Sequence, residues 1–343
     1  MKRRQFIRSN IILASAGLLP SANLSHLEKE IQKKGFEPSY LKLHRSGELK
    51  KRGETLWKLM KSCQLCPREC GTDRLSGDEG FCHASSQLEV SAANPHFGEE
   101  RPLVGQGGSG TIFFTNCNLR CVFCINWRIN HEGIGSPCSL ETLAGMMLKL
   151  QKRGCHNINM VTPTHYSPHI LLALDLAAAR GLKIPLVYNT SGWERPEILK
   201  LLDGIVDIYL PDFKYSDPEM AGKYSADAFS YPEISQKALL EMNRQVGVAR
   251  PAANGLMFRG LMIRHLILPN NVSGTRNVIR WISRHLPKDT YLNIMSQYRP
   301  AHQAHKYPKI SRRITRREYH NADKWAKEAG LSNLDIQGYS RLF

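Results

Sequence analysis

The chain has 343 residues, 42% hydrophobic, 22% charged and 8% aromatic, a globular composition that excludes a disordered or fibrous protein. This length buries an ample core without help from disulfides, which excludes a miniature disulfide scaffold. The formal charge of +17 is spread along the chain and by itself identifies neither nucleic acid nor anionic lipid as a partner.

The N-terminus sets Lys2, Arg3, Arg4 and Arg8 before a short apolar stretch from Ile11 to Leu19, followed by the small pair Ser21-Ala22. The stretch is too short to span a bilayer as a helix, and the pattern resembles a twin-arginine export signal or anchor over residues 1–22. No other transmembrane candidate follows. Residues 23–104 read as an N-terminal extension, polar and helix-prone up to about residue 60. Cys63, Cys66, Cys70 and Cys82 then fall in a stretch dense in Gly, Pro, Arg and Asp that is too poor in apolar residues to fold around its own core. A metal would supply what that core lacks. Four thiolates close either a structural Zn²⁺ site or an iron-sulfur cluster, and the spacing does not choose between them. In an exported chain two disulfides are the alternative.

Residues 105–110 match G-x-G-x-x-G by letter, but they precede a strand and open no helix, so they read as a turn and not as a dinucleotide site. Beyond them, short β-branched and aromatic runs at 111–115, 157–161, 185–189, 205–210, 261–268 and 291–296 alternate with helical periodicity at 139–153, 168–180, 195–202, 232–246 and 275–286. Apolar strands separated by amphipathic helices predict an α/β fold whose parallel sheet either winds doubly or curls into a partial barrel over residues 105–300. Residues 301–343 form a basic extension, with Lys306, Lys309, Arg312, Arg313, Arg316 and Arg317 leading into a last helix. Thr315 and Glu318 are spaced as its capping box and Gly330 is its stop.

Cys117, Cys121 and Cys124 follow directly on the first of these strands. Three thiolates at the carboxyl end of a parallel strand lie on the face where such sheets place their active sites. A [4Fe-4S] cube needs four ligands, so three cysteines leave one iron open to another group. Cys138 and Cys155 stand alone and read as inert thiols.

The C-x3-C-x2-C pattern, with Phe123 before its last cysteine, resembles the radical S-adenosylmethionine (SAM) superfamily. More narrowly, Cys63-Gln64-Leu65-Cys66-Pro67-Arg68-Glu69-Cys70-Gly71, His96-Phe97-Gly98-Glu99-Glu100 and the cysteine triplet resemble the PflX-like group, relatives of pyruvate formate-lyase-activating enzymes. Segments 110–114, 154–159, 161–165, 188–192, 207–215 and 264–269 resemble that group as well, so that the likeness runs over roughly residues 36–335. Ile125, where the group usually carries glutamine, and the export-like N-terminus depart from its pattern.

The resemblance implies a (β/α)6 partial TIM barrel of the radical SAM type, a [4Fe-4S] cluster on Cys117, Cys121 and Cys124, and SAM chelated at the open iron. One electron from a low-potential donor of flavodoxin or ferredoxin type would cleave SAM to a 5′-deoxyadenosyl radical, which takes a hydrogen atom from the substrate. By similarity, Thr162, Pro163 and Thr164 stand where the SAM amino group is received. Asn189, Thr190, Asp212, Lys214 and His265 are candidates for ribose, carboxylate and adenine contacts, and Phe123 either packs on the adenine or shields the cluster. A second [4Fe-4S] cluster or Zn at the four-cysteine knot completes the cofactor set. An acidic protein partner suits the basic face. Rival readings are an RNA-modifying radical SAM enzyme, which the basic run would serve although no RNA-binding module is visible, and an electron-transfer or metal-binding protein that does not cleave SAM. Localisation divides the same way: the N-terminus points to export or anchoring, the SAM requirement to the cytoplasm.

Overall fold

The computed structural model describes residues 36–336, and the signal-like stretch lies outside them. In chain order the regular elements begin with α1 (Ser39–Arg45), α2 (Glu48–Lys58), β1 (Glu89–His96), α3 (Arg101–Val104), β2 (Ser109–Phe114), α4 (Trp127–Asn130), β3 (Ser136–Pro137), α5 (Leu140–Lys152) and β4 (Ile158–Val161). Then come α6 (Ser167–Ala179), β5 (Leu186–Thr190), α7 (Pro196–Leu201), β6 (Ile208–Pro211), α8 (Pro218–Tyr224), α9 (Tyr231–Val246) and β7 (Gly260–Leu266). The last are α10 (Thr275–His285), β8 (Tyr291–Met295), α11 (Arg316–Glu328) and β9 (Leu334–Ile336). Each of the six expected strands is present within a few residues of its expected limits.

The strands make one mostly parallel sheet in the order β3-β1-β2-β4-β5-β6-β7-β8-β9. Strands β2 and β4 to β9 run parallel, while β1 pairs antiparallel with both β2 and β3. Thus β1, from the stretch expected as N-terminal extension, and β9, from the expected C-terminal extension, lengthen the sheet at its two ends. The helices start where side chains satisfy free backbone N–H groups. Ser139 accepts from Thr142 N at α5, Asp217 from Met220 N at α8, and Thr315 and Glu318 close the expected capping box at α11.

Side chains alternate along the strands, and this sorts the core into two parts. Tyr188, Tyr209, Leu261, Ile263, Leu292 and Ile294 join the helix residues Leu174, Leu239, Ile279 and Ile282 in the larger core. Val187, Ile208, Leu210, Met262 and Tyr291 point to the other face, where they enclose Leu103 of α3 together with Ala249 and Met257. Both faces are therefore covered, which is why the strands read as continuous apolar runs. The turn at 105–108 is pinned by Gly107 N, which donates to His156 Nε2 at 2.9 Å. Among the described residues no helix is long and apolar enough to cross a membrane.

Candidate active site

On the face that carries Leu103, the strand residues nearer the carboxyl ends turn polar and line a cavity of about 420 Å³. Phe113, Val161, Asn189, Asp212, Arg264, Leu266, Asn293 and Met295 form its wall, and Cys117, Cys121, Phe123 and Cys124 form its other side. The strand residues keep the two-residue alternation of their strands. Arg264 and Leu266 face the cavity, whereas His265 is fully buried on the opposite face, with Nδ1 2.6 Å from Phe213 O and Nε2 2.9 Å from Thr275 Oγ1.

The cysteine loop is strapped down at several points. Asn116 and Arg120 adopt positive φ, Val122 N donates to Tyr224 O, Gln303 N donates to Val122 O, and the His131 ring contacts Cys121 O through Nε2. Each sulfur receives a donor: Leu119 N to Cys117 Sγ at 3.4 Å, Ser225 Oγ to Cys121 Sγ at 3.1 Å, and Asn130 Nδ2 to Cys124 Sγ at 3.4 Å. Tyr215 OH sits 2.9 Å from Ser225 Oγ and supports it from behind. Burial pushes the Cys121 thiol up to about 12 and the Cys124 thiol up to about 11, so these thiols stay protonated unless a cationic metal centre stabilises the thiolates. Phe123 packs edge-on against Tyr215 and Tyr298, which puts its ring on the wall beside the thiols.

Opposite the loop, Asp212 and Lys214 form an ion pair on the cavity wall. Burial alone would push the Lys214 ammonium down, but Asp212 holds it well above the ordinary lysine range. The chain between them is fixed by Tyr231, whose hydroxyl accepts from Lys214 N at 2.9 Å and lies 2.8 Å from Ser191 O. Gly192 allows this packing, since at its φ of +79° any Cβ would collide with the Asp212 carbonyl. Thr162, directly after β4, has φ +60°, a strained conformation for a β-branched residue and one that clusters at ligand sites.

The cavity also contains residues that sequence reasoning leaves without a role. Glu100, at the start of α3, takes two bonds from Arg264, Nε to Oε1 at 2.6 Å and Nη2 to Oε2 at 2.7 Å, while Glu99 pairs with the same guanidinium. Arg264 Nη1 donates to Asn189 Oδ1 at 3.2 Å, and Asn293 Nδ2 donates to Glu100 Oε1 at 2.8 Å. Burial opposes ionisation of Glu99, yet Arg264, with His96 behind it, holds that carboxyl down at about 2. The quoted His96–Glu100 segment is thus a carboxylate clamp on Arg264, and period-two counting back from Leu266 would have found its partner.

The structure brings Phe123, Thr162, Asn189, Thr190, Asp212 and Lys214 together with the three cysteines. It does not bring Pro163, Thr164 or His265 to the wall. Pro163 is buried away from the lining, the Thr164 hydroxyl is spent on buried Glu194, and His265 falls on the odd face of β7. Burial pushes His265 down to about 4, so it is neutral where it packs. The basic run before α11 is partly structural, because Arg312 binds Glu318 and the Asn270 side chain.

A model of the radical SAM superfamily matches residues 111–246, which contain the three cysteines, Thr162, Asn189, Asp212 and Lys214. An uncharacterised protein of Methanocaldococcus jannaschii is 32% identical over 287 residues, 81% of this chain and 77% of that protein. The chain belongs to the radical SAM superfamily. Solved structures similar to this radical SAM protein include methylornithine synthase, at 14% identity over 64% of this chain and 68% of that one with a TM-score of 0.40. Another is a radical SAM methyltransferase from Sphaerobacter thermophilus, at 12% identity over 92% and 93% of the two chains with a TM-score of 0.45.

The superfamily implies a [4Fe-4S] cluster and SAM, and the residues present fit both. Three thiols with a donor at each sulfur suit cluster ligation. Arg120 Nη1, Ser191 Oγ and Asn293 Oδ1 are buried on the cavity wall without partners, so a polar ligand finds both donors and acceptors there. When bound, the cluster supplies the electron that cleaves SAM, and SAM supplies the radical that takes hydrogen. The chain's own residues orient and shield. Lys214 and Asn189, the latter oriented by Arg264 Nη1, are the wall residues that would meet the carboxylate and hydroxyls of such a ligand, and Phe123 packed on Tyr298 would flank the thiols.

Proposed function

We propose that this radical SAM enzyme takes a hydrogen atom from an acidic segment of a protein substrate, in the manner of the activating enzymes that its PflX-like motifs resemble. The observation that carries the reading is the convergence of three donor-bonded thiols, the Asp212–Lys214 pair and strained Thr162 on one cavity. The charge of the cavity supports the substrate class. Its acids Glu99, Glu100 and Asp212 are each paired internally, whereas among the described residues Arg120 and Arg299 on the same wall have no carboxylate partner. Beside them Ile125 is 60% exposed, giving a polypeptide an apolar foothold at the rim. A low-potential flavodoxin or ferredoxin would serve as reductant.

The test uses anaerobically loaded enzyme with SAM and two labelled probes, a peptide alternating glutamate with glycine and an oligouridine RNA of equal charge. The peptide should bind, weaken as salt rises, and lose at least tenfold in affinity in Arg299→Glu. Tighter binding of the RNA, with the same loss in Arg299→Glu, would refute the protein-substrate reading and favour the RNA-modifying one.

A further inference from the structure

The four-cysteine knot lies outside the cavity and remains without a role in the chemistry above. Cys63, Cys66 and Cys82 are buried and Cys70 is exposed. Backbone bonds from Glu69 N to Cys66 O, from Gly71 N to Cys63 O and from Cys63 N to Thr72 O fold the first three cysteines into one tight turn, and Gly80 N to Ala84 O turns the chain at Cys82. A Cβ placed on Gly80 would stand 3.4 Å from Cys70 Sγ and 3.7 Å from Cys82 Sγ, so glycine leaves the space between these sulfurs clear.

Two arginines show what charge this space must carry. Arg74 is 0% exposed, and among the described residues no carboxylate pairs with it. Its guanidinium donates to Ser85 O and His165 O and lies 3.9 Å from Cys63 Sγ, while His165 beside it is neutral. A buried guanidinium without a counter-charge is costly, because desolvation of the charge goes unrepaid. Disulfides carry no charge and would leave it uncompensated; metal-bound thiolates would compensate it. Arg68, stacked between Phe81 and Trp193, donates to Asn118 O at 3.0 Å and Ser225 O at 3.2 Å, tying the knot to the loop of Cys117 and Cys121. The Asn118 carboxamide lies against Cys66 and 4.0 Å from Cys117 Sγ, and its buried Nδ2 has no partner, a donor awaiting an anionic sulfur.

Position favours a cluster over zinc. The Arg68 and Asn118 contacts set the knot against the loop of Cys117 and Cys121, where a second redox centre has a role in the chemistry and a structural ion has none. Four thiolates close either site, so the metal count below includes zinc.

We propose that Cys63, Cys66, Cys70 and Cys82 hold a second [4Fe-4S] cluster, charge-balanced by Arg74, that relays electrons to the three-cysteine centre. The relay role rests on the radical SAM reading; occupancy of the knot does not. One electron enters from an external low-potential donor of ferredoxin or flavodoxin class on the exposed Cys70 side and leaves past Asn118, with no bond made or broken and no proton moved.

The full chain is reconstituted anaerobically, and iron, sulfide and zinc are counted together with the EPR spectrum of the reduced protein. The wild type should carry twice the iron and sulfide of one cluster and no zinc. The triple variant Cys117→Ala, Cys121→Ala, Cys124→Ala should keep half of the iron and a signal that SAM does not move. Cys70→Ala and Arg74→Met should each lose the complementary half and keep the SAM-responsive signal, which also shows that they fold. Reduction of the three-cysteine cluster by reduced flavodoxin, followed by stopped flow, should slow at least tenfold in Cys70→Ala. Iron for one cluster only, one equivalent of zinc, or knot disulfides found by mass spectrometry would overturn the site. Equal reduction rates would overturn the relay. Failure of SAM cleavage with both clusters loaded would instead count against the radical SAM reading.

Discussion

Replacing Arg264 with methionine tests the carboxylate clamp at the wall of the cavity. The change keeps most of the side-chain volume but leaves Glu99 and Glu100, with side chains 8% and 2% exposed, without their shared cation. Holding Glu99 at about 2 against its ordinary 4.5 corresponds to about 3 kcal/mol of stability at neutral pH. Breaking a buried ion pair by removing one partner costs about 3–5 kcal/mol in general, which agrees. For a chain of this size the loss lowers the thermal midpoint by about 4 °C. The folded pKa of Glu99 is depressed, so its contribution is present above the ordinary carboxylate value and is lost as pH falls through 4.5 toward 2. In the variant, burial without Arg264 pushes the Glu99 carboxyl up, so acidification from pH 8 toward 5 should narrow the gap to wild type. Thermal unfolding by circular dichroism across that range measures both effects. A midpoint within about 2 °C of wild type at pH 7.5, or a gap that ignores pH, would show that the clamp does not carry this energy.

Three further substitutions probe other parts of the site. Glu194 is fully buried, with Thr164 and Thr190 donating to one oxygen and the other unpartnered, and burial pushes it up to about 7. Its raised pKa means that stability falls as pH rises from 4.5 through 7, so Glu194→Gln should raise the thermal midpoint at pH 8 by an amount that vanishes below pH 5; an equal or lower midpoint at pH 8 would contradict this. Ser225→Ala removes the hydroxyl donor to Cys121 Sγ and should keep full iron content while lowering the cluster's reduction potential, measured by EPR-monitored titration; an unchanged potential would show the contact to be idle. Thr162→Gly relieves the positive φ and should stabilise the apo chain by about 1 kcal/mol while weakening SAM binding at least tenfold, as read by calorimetry; a destabilised chain would mean that Thr162 is not strained.

Much of the sheet was legible because its strands are buried on both faces and read as unbroken apolar runs between amphipathic helices. β1 was not, because Ala92, Ala93, Asn94 and Pro95 have little strand propensity and the strand is held by antiparallel pairing to β2. The three-cysteine site was legible from spacing alone, since its thiols lie in one short loop. Arg264 and His265 stand in one motif, and only the alternation along β7 decides which of them faces the cavity. The clamp escaped notice because Glu99 and Glu100 meet Arg264 across more than 160 residues of chain. Arg74 was equally hidden: in a loop of polar residues nothing local marks an arginine as fully buried, and its burial is set by Ser85 and His165 from other segments.

Every reading of the cavity depends on radical chemistry on SAM at Cys117, Cys121 and Cys124. The most direct measurement reconstitutes the full chain anaerobically with iron and sulfide, reduces it with dithionite, adds SAM and assays 5′-deoxyadenosine by mass spectrometry, with Cys121→Ala alongside. The wild type should yield 5′-deoxyadenosine and the variant none above background. A fully loaded wild type that neither binds nor cleaves SAM would contradict this chemistry.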